Sequence, residues 1–82
     1  MTFSERITEL RESGGFLQKD VAKEIGVSLH TYQRYEYAEA EPKVSILIAL
    51  ADFYDLSLDE LVGREYPKPN RKINSAQQGL KT

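Results

Sequence analysis

Two adjacent side chains, Gln33 and Arg34, end in planar forked groups that form paired hydrogen bonds with flat partners. A glutamine amide matches the N6/N7 edge of adenine, and a guanidinium matches O6 and N7 of guanine. Leu29, able to meet a thymine methyl, stands just before them with Ser28, His30 and Thr31; Tyr37 follows, and Lys43 lies a little further on. Gln18 and Lys19 precede the group. This is the chemistry of recognition, and little in the chain suits bond-making. There is no cysteine, and His30 is the single histidine, so a histidine metal site has no second ligand of its kind. The carboxylates Asp52 and Asp55 sit on a polar surface with no cleft large enough to change their acidity. The expectation is a non-enzyme without metal or cofactor.

Helices must position these groups. Phe3, Ile7 and Leu10 recur at helical spacing, with Thr2 and Glu5 spaced as a capping box and Gly14–Gly15 as the stop. Val21, Ala22 and Ile25 form a second apolar face, closed by Gly26, which can take left-handed geometry. Ser28 is an N-cap for a third helix, on which Tyr32 and Tyr35 turn inward. At that spacing the two tyrosines read as core, against the alternative of a stacking pair for single-stranded nucleic acid. Pro42 interrupts the chain. Val44, Leu47, Ile48, Leu50, Ala51 and Phe53 then make the most apolar segment, which predicts a central buried helix. Ser57 and Glu60 form another capping box ahead of Leu58, Leu61 and Val62, and Gly63 ends a fifth helix. The expected fold is all-α: five helices over residues 1–63, with residues 64–82 as a flexible tail too polar to bury much surface.

The turn Gly26–Val27–Ser28 is too short for its flanking helices to lie antiparallel, so they cross steeply. The third helix is left protruding, with a width that suits the major groove. At about 100° per residue, inward Tyr32 and Tyr35 put His30, Gln33, Arg34 and Tyr37 on the outer side, with Leu29 at its margin. Gln18 and Lys19, at the start of the second helix, sit over a phosphate in this arrangement.

Charge qualifies that reading. The formal net charge is −2, where a nucleic-acid binder is typically basic. Residues 1–63 hold six Lys/Arg against twelve Asp/Glu, whereas residues 64–82 hold five against Glu65 alone. Contact with a polyanion must therefore come from a local patch. The chain has room for one domain, so no separate ligand-sensing domain and no small-molecule ligand are expected. No apolar run approaches the ~18 residues of a membrane span, and the N-terminus lacks the pattern of a secretion signal. A cytoplasmic protein away from membranes is expected.

From Arg6 to Gly63 the chain resembles the Cro and phage-repressor helix-turn-helix domains, the xenobiotic-response-element family. The resemblance is carried by Arg6, Ile7, Leu10 and Arg11; by Gln18, Val21 and Ala22; and by Ile25 to Ser28. It continues through Tyr35, Glu36, Pro42, Leu50 to Phe53, and Leu56 to Gly63. It implies a five-helix lambda-repressor-like fold that binds double-stranded DNA as a homodimer on a near-palindromic operator, with repression the usual outcome. It also implies that Gln18 caps the second helix against a phosphate. Ser28, Leu29, His30, Gln33 and Arg34 match base-touching positions, and Tyr37 matches a backbone contact. The chain departs from the pattern at Leu17 and Lys43, where capping Ser or Thr is common. It departs again at Tyr37–Glu41, an acidic turn without the usual glycine and basic residues. That turn either faces phosphates, serves a protein partner, or extends the third helix to Pro42. A protein-interaction module on the same fold, of antitoxin or anti-repressor type, is the alternative function, and it draws on the acidic surface.

Overall fold

The computed structural model describes residues 1–63, and the expected flexible tail at 64–82 lies outside them. Five helices follow in order: α1 (Phe3–Ser13), α2 (Gln18–Ile25), α3 (Leu29–Glu36), α4 (Val44–Tyr54) and α5 (Leu58–Val62). No strand occurs among the described residues.

Local chemistry sets most of the helix ends. Thr2 Oγ1 accepts from the Glu5 N–H at 3.1 Å while the Glu5 carboxylate accepts from the Thr2 N–H at 2.9 Å. That bond to the Thr2 backbone holds the Glu5 carboxyl below its ordinary value. Ser57 and Glu60 repeat the exchange at the start of α5, with bonds of 3.1 and 2.9 Å. Ser28 Oγ accepts from the Thr31 N–H at 3.1 Å and starts α3. Each of these caps satisfies donors that a helix start leaves without an intrahelical partner. Only half a box forms at α2: Asp20 accepts from the Leu17 N–H at 3.1 Å, but leucine has no oxygen to return the bond. Gly26 ends α2 at φ 81°, so that the Val27 N–H reaches back to the Ala22 carbonyl.

Every helix contributes to one core. Ile7, Val21, Ala22, Ile25, Tyr32, Tyr35, Leu50, Ala51 and Leu61 are buried together, with Phe3, Leu10, Val27, Leu47 and Phe53 packed against them. Ala22 is small and buried on α2, which packs against α3 and α4. A polar tie joins α1 to α3, where Ser4 Oγ donates to the Tyr35 carbonyl at 2.7 Å. Another joins α1 to α5, where Arg6 Nε donates to the Glu60 carbonyl at 3.0 Å.

Two expectations need correction. The apolar density of α4 predicted a central buried helix, yet Val44 is 64% and Ile48 46% exposed. α4 packs against α2 and α5, and in so small a domain no further layer among the described residues covers its other side. The extension of α3 to Pro42 does not occur either. α3 stops at Glu36, and Ala38 takes φ 60°, a left-handed geometry that ends the helix despite the helix-forming residues after it.

Candidate nucleic-acid interface

α2, the Gly26–Val27–Ser28 turn and α3 form a helix-turn-helix. Tyr32 and Tyr35 are buried, their rings edge to face with centroids 6.5 Å apart, and they hold one side of α3 in the core. The opposite side is open. Leu29, His30 and Arg34 are exposed on α3, and Tyr37 is exposed just beyond it. Ser28 is exposed, its hydroxyl also donates to Thr31 Oγ1 at 3.0 Å, and Thr31 is half-buried. Lys19 is exposed, with no ion pair among the described residues. Lys43 is exposed at the start of α4 and makes no cap bond.

Gln33 is less free than helical geometry suggested. It is half-buried, and its Nε2 donates to Gln18 Oε1 at 3.1 Å. Gln18, in the first turn of α2, donates in turn to Glu36 Oε1 at 3.0 Å and to the Tyr37 hydroxyl at 3.4 Å. Gln18, Gln33 and Tyr37 are thus gathered at one corner of the surface. Arg34 stands apart with a long bond to the Glu39 carbonyl, 3.4 Å. No hydrogen bond ties the side chains of Leu29, His30 or Lys43 to that corner among the described residues.

The residue at the centre of this corner is Glu36, to which sequence reasoning gave no role. Its side chain is 2% exposed, and Arg11 from α1 grips it with both prongs, Nε at 2.6 Å and Nη2 at 3.1 Å. The Tyr32 hydroxyl and Gln18 supply the remaining donors. Burial alone would push the Glu36 carboxyl up, but the bonds from Arg11, Tyr32 and Gln18 outweigh it and hold it below its ordinary value. The same bond to Glu36 raises Arg11, and burial followed by the bond to Glu36 raises the Tyr32 hydroxyl. A signal was present in the chain: Glu36 lies one turn after Tyr32, on the inward face of α3. An acid there calls for a buried cation.

The fold and this surface define a five-helix domain of the helix-turn-helix class, with α3 in the position of the recognition helix. A family model described as helix-turn-helix matches residues 7–61. The transcriptional repressor RstR of cryptic phage CTXphi from Vibrio cholerae (El Tor strain) is 36% identical over 73 residues, 89% of this chain and 65% of RstR. The regulator AnsR of Bacillus subtilis is 38% identical over 64 residues, 78% of this chain and 55% of AnsR. This chain therefore spans just under two thirds of one curated relative and just over half of the other. The P22 c2 repressor, solved with a synthetic operator, superposes with a TM-score of 0.73 at 29% identity, covering 79% of this chain and 98% of that one. The chain belongs to the helix-turn-helix family of the Cro and phage-repressor kind, and its five helices form that family's DNA-binding fold. No helix among the described residues is long and apolar enough to cross a membrane.

Proposed function

We propose that residues 1–63 are the DNA-reading domain of a cytoplasmic transcriptional repressor that binds double-stranded DNA sequence-specifically, with α3 in the major groove. The observation that carries this reading is the division of α3. Tyr32, Tyr35 and Glu36 anchor one side, while Leu29, His30 and Arg34 stand exposed on the other. Arg34 pairs with guanine, Gln33 with adenine, and Leu29 meets a thymine methyl, with Ser28, His30 and Thr31 beside them at the base edges. Lys19, Tyr37 and Lys43 contact phosphates with their side chains, and Gln18 does so with its backbone N–H at the start of α2; these contacts set the register. The relative named a repressor and the neighbour solved on an operator support the same reading.

One recognition helix covers only a few base pairs, so the domain acts as a homodimer on a near-palindromic operator. Its half-sites lie about 34 Å apart, one turn of duplex. Exposed Leu58 and half-buried Val62 on α5 supply the contact, together with Tyr66, which lies outside the described residues. The test is a gel-shift screen of genomic fragments at low salt, followed by footprinting of the retained site. Protection of two half-sites on one face of the duplex is expected. A one-to-one complex on a non-repeated site would refute the dimer.

One observation favours a second reading, an interaction module of antitoxin or anti-repressor type. Glu5, Glu9 and Glu12 line an open groove along α1, bordered by Glu36. That surface suits a basic protein partner. Absence of any retained fragment at low salt, together with a stable complex with such a partner, would favour this reading.

A further inference from the structure

We propose that Glu36 is a positioning residue for base choice: acting through Gln18, it fixes which end of the Gln33 amide faces the DNA and so favours adenine over guanine. The inference rests on the DNA-reading function proposed above and concerns a residue that is too deeply buried to touch DNA itself.

An amide side chain can present either its oxygen or its nitrogen to a neighbour, whereas an ionised carboxylate can only accept. Every group around Glu36 is accordingly a donor. Arg11 Nε and the Tyr32 hydroxyl donate to Oε2, while Arg11 Nη2 and Gln18 Nε2 donate to Oε1. Gln18 must therefore turn its nitrogen inward, and the Tyr37 hydroxyl takes up a second bond from that nitrogen. Its oxygen is left facing α3, where it accepts from Gln33 Nε2 at 3.1 Å. Gln33 in turn keeps its own oxygen and one N–H for another partner. A donor beside an acceptor complements adenine, which offers N6–H and N7; guanine offers two acceptors at the same edge. If the amides were reversed, Gln33 would donate nothing to Gln18 and would present both N–H groups, the pattern that suits guanine.

The relay begins at a charge that the fold maintains. Arg11 and the two other donors hold the Glu36 carboxyl ionised despite its burial. Arg11 and Tyr32 alone would already tie Glu36 into the core; the bond to Gln18 is the one that reaches the recognition surface.

The test uses the full chain and a pool of randomised duplex DNA, with bound sequences recovered and read for wild type, Gln33→Ala, Arg34→Ala, Gln18→Met and Glu36→Gln. Wild type is expected to prefer adenine over guanine at one position by about tenfold, within the range of a bidentate contact. Gln33→Ala should erase that preference and so identify the position. A neutral amide at 36 can donate as well as accept, so Glu36→Gln should bring the adenine-to-guanine ratio there to within about twofold. Preference at the guanine read by Arg34 should stay unchanged, whereas a purely structural role would weaken all positions alike. Gln18→Met should level the same ratio with Arg11 and Glu36 still paired, and it carries the test if circular dichroism shows Glu36→Gln unfolded. A folded Glu36→Gln or a Gln18→Met that keeps the wild-type ratio overturns the inference. If Gln33→Ala changes no position while Arg34→Ala does, the inference falls and the DNA-reading function stands. If wild type enriches no sequence, both fall.

Discussion

Arg11→Met removes the cation that faces Glu36 and keeps much of the side chain's length. The two side chains are 13% and 2% exposed, so the pair is largely out of water. Breaking a buried pair by removing one partner costs about 3–5 kcal/mol, because the remaining charge is left uncompensated. Two donors remain on Glu36, the Tyr32 hydroxyl and Gln18 Nε2, which places the loss near the lower end, about 3 kcal/mol. For a domain of this size, total stability is about 3–9 kcal/mol. The substitution therefore removes between a third and all of it.

The pH dependence separates this mechanism from a simple packing loss. In the wild type the Glu36 carboxyl lies below its ordinary value of 4.5. Its contribution is complete above that value and is lost as pH falls through the lower folded one. Without Arg11, the strongest bond opposing burial is gone and the folded value rises from its wild-type position, so the penalty is largest near pH 7. It shrinks as Glu36 takes up a proton. Urea unfolding followed by circular dichroism at pH 7, 5.5 and 4 reads both effects. Arg11→Met/Glu36→Gln should recover part of the loss at pH 7, since no charge is then buried alone. A loss below about 1 kcal/mol, or one that stays constant across this pH range, would refute the argument.

Arg34→Ala should cost about 1–3 kcal/mol in specific binding and relax one base position, whereas Lys19→Ala should weaken binding to all sequences alike; binding selections on the two variants check this. Leu17→Ser should raise stability by about 0.5–1 kcal/mol, because Leu17 is 58% exposed and the new hydroxyl completes the half-formed cap with Asp20. Ala38→Gly should raise it by a similar amount, about 1 kcal/mol, by relieving left-handed strain at φ 60°; a lower melting temperature would show that the methyl group packs. The Tyr54 hydroxyl is buried without a hydrogen-bond partner among the described residues, and burial pushes it up to about 12. Its neutral form is therefore favoured by folding, a contribution present below pH 10 and lost as pH rises towards 12. Tyr54→Phe should add about 1 kcal/mol at neutral pH and flatten the alkaline limb of a pH–stability curve.

The features readable in the chain are those decided within one turn of it. Thr2 with Glu5 and Ser57 with Glu60 are three residues apart, and their bonds form whatever the rest of the fold does. Gly26 takes the left-handed turn that its lack of a side chain permits, and Tyr32 with Tyr35 declares the inner face of α3. The features that were missed depend on distant partners. Ala38 accepts a geometry that costs an alanine energy, because the chain must turn there to bring α4 back over α2. Val44 and Ile48 stay exposed because no helix among the described residues covers them, which apolar density alone cannot reveal. Gln33 was placed on the outer side by angle, but its hydrogen bond to Gln18 depends on where α2 begins relative to α3.

The recognition helix is eight residues long, too short to be stable alone in water. Its direction is therefore imposed from outside, by Tyr32 and Tyr35 in the core, by Ser4 on the Tyr35 carbonyl and by Arg11 on Glu36. Leu29 and His30 belong to none of these anchors, and Arg34 only touches the Glu39 carbonyl. These three positions can change their chemistry at little cost to the fold, and on the proposed function the bases read should change with them. Gln33 is different. It is bonded to Gln18, which is bonded to the same carboxylate that holds the helix in place. On the proposed DNA-reading function, a change at Glu36 should alter stability and base choice together, whereas a change at Arg34 should alter base choice with little effect on the fold. The two kinds of position lie next to each other on one helix, and what separates them is whether the side chain is tied to the protein or left open for another partner.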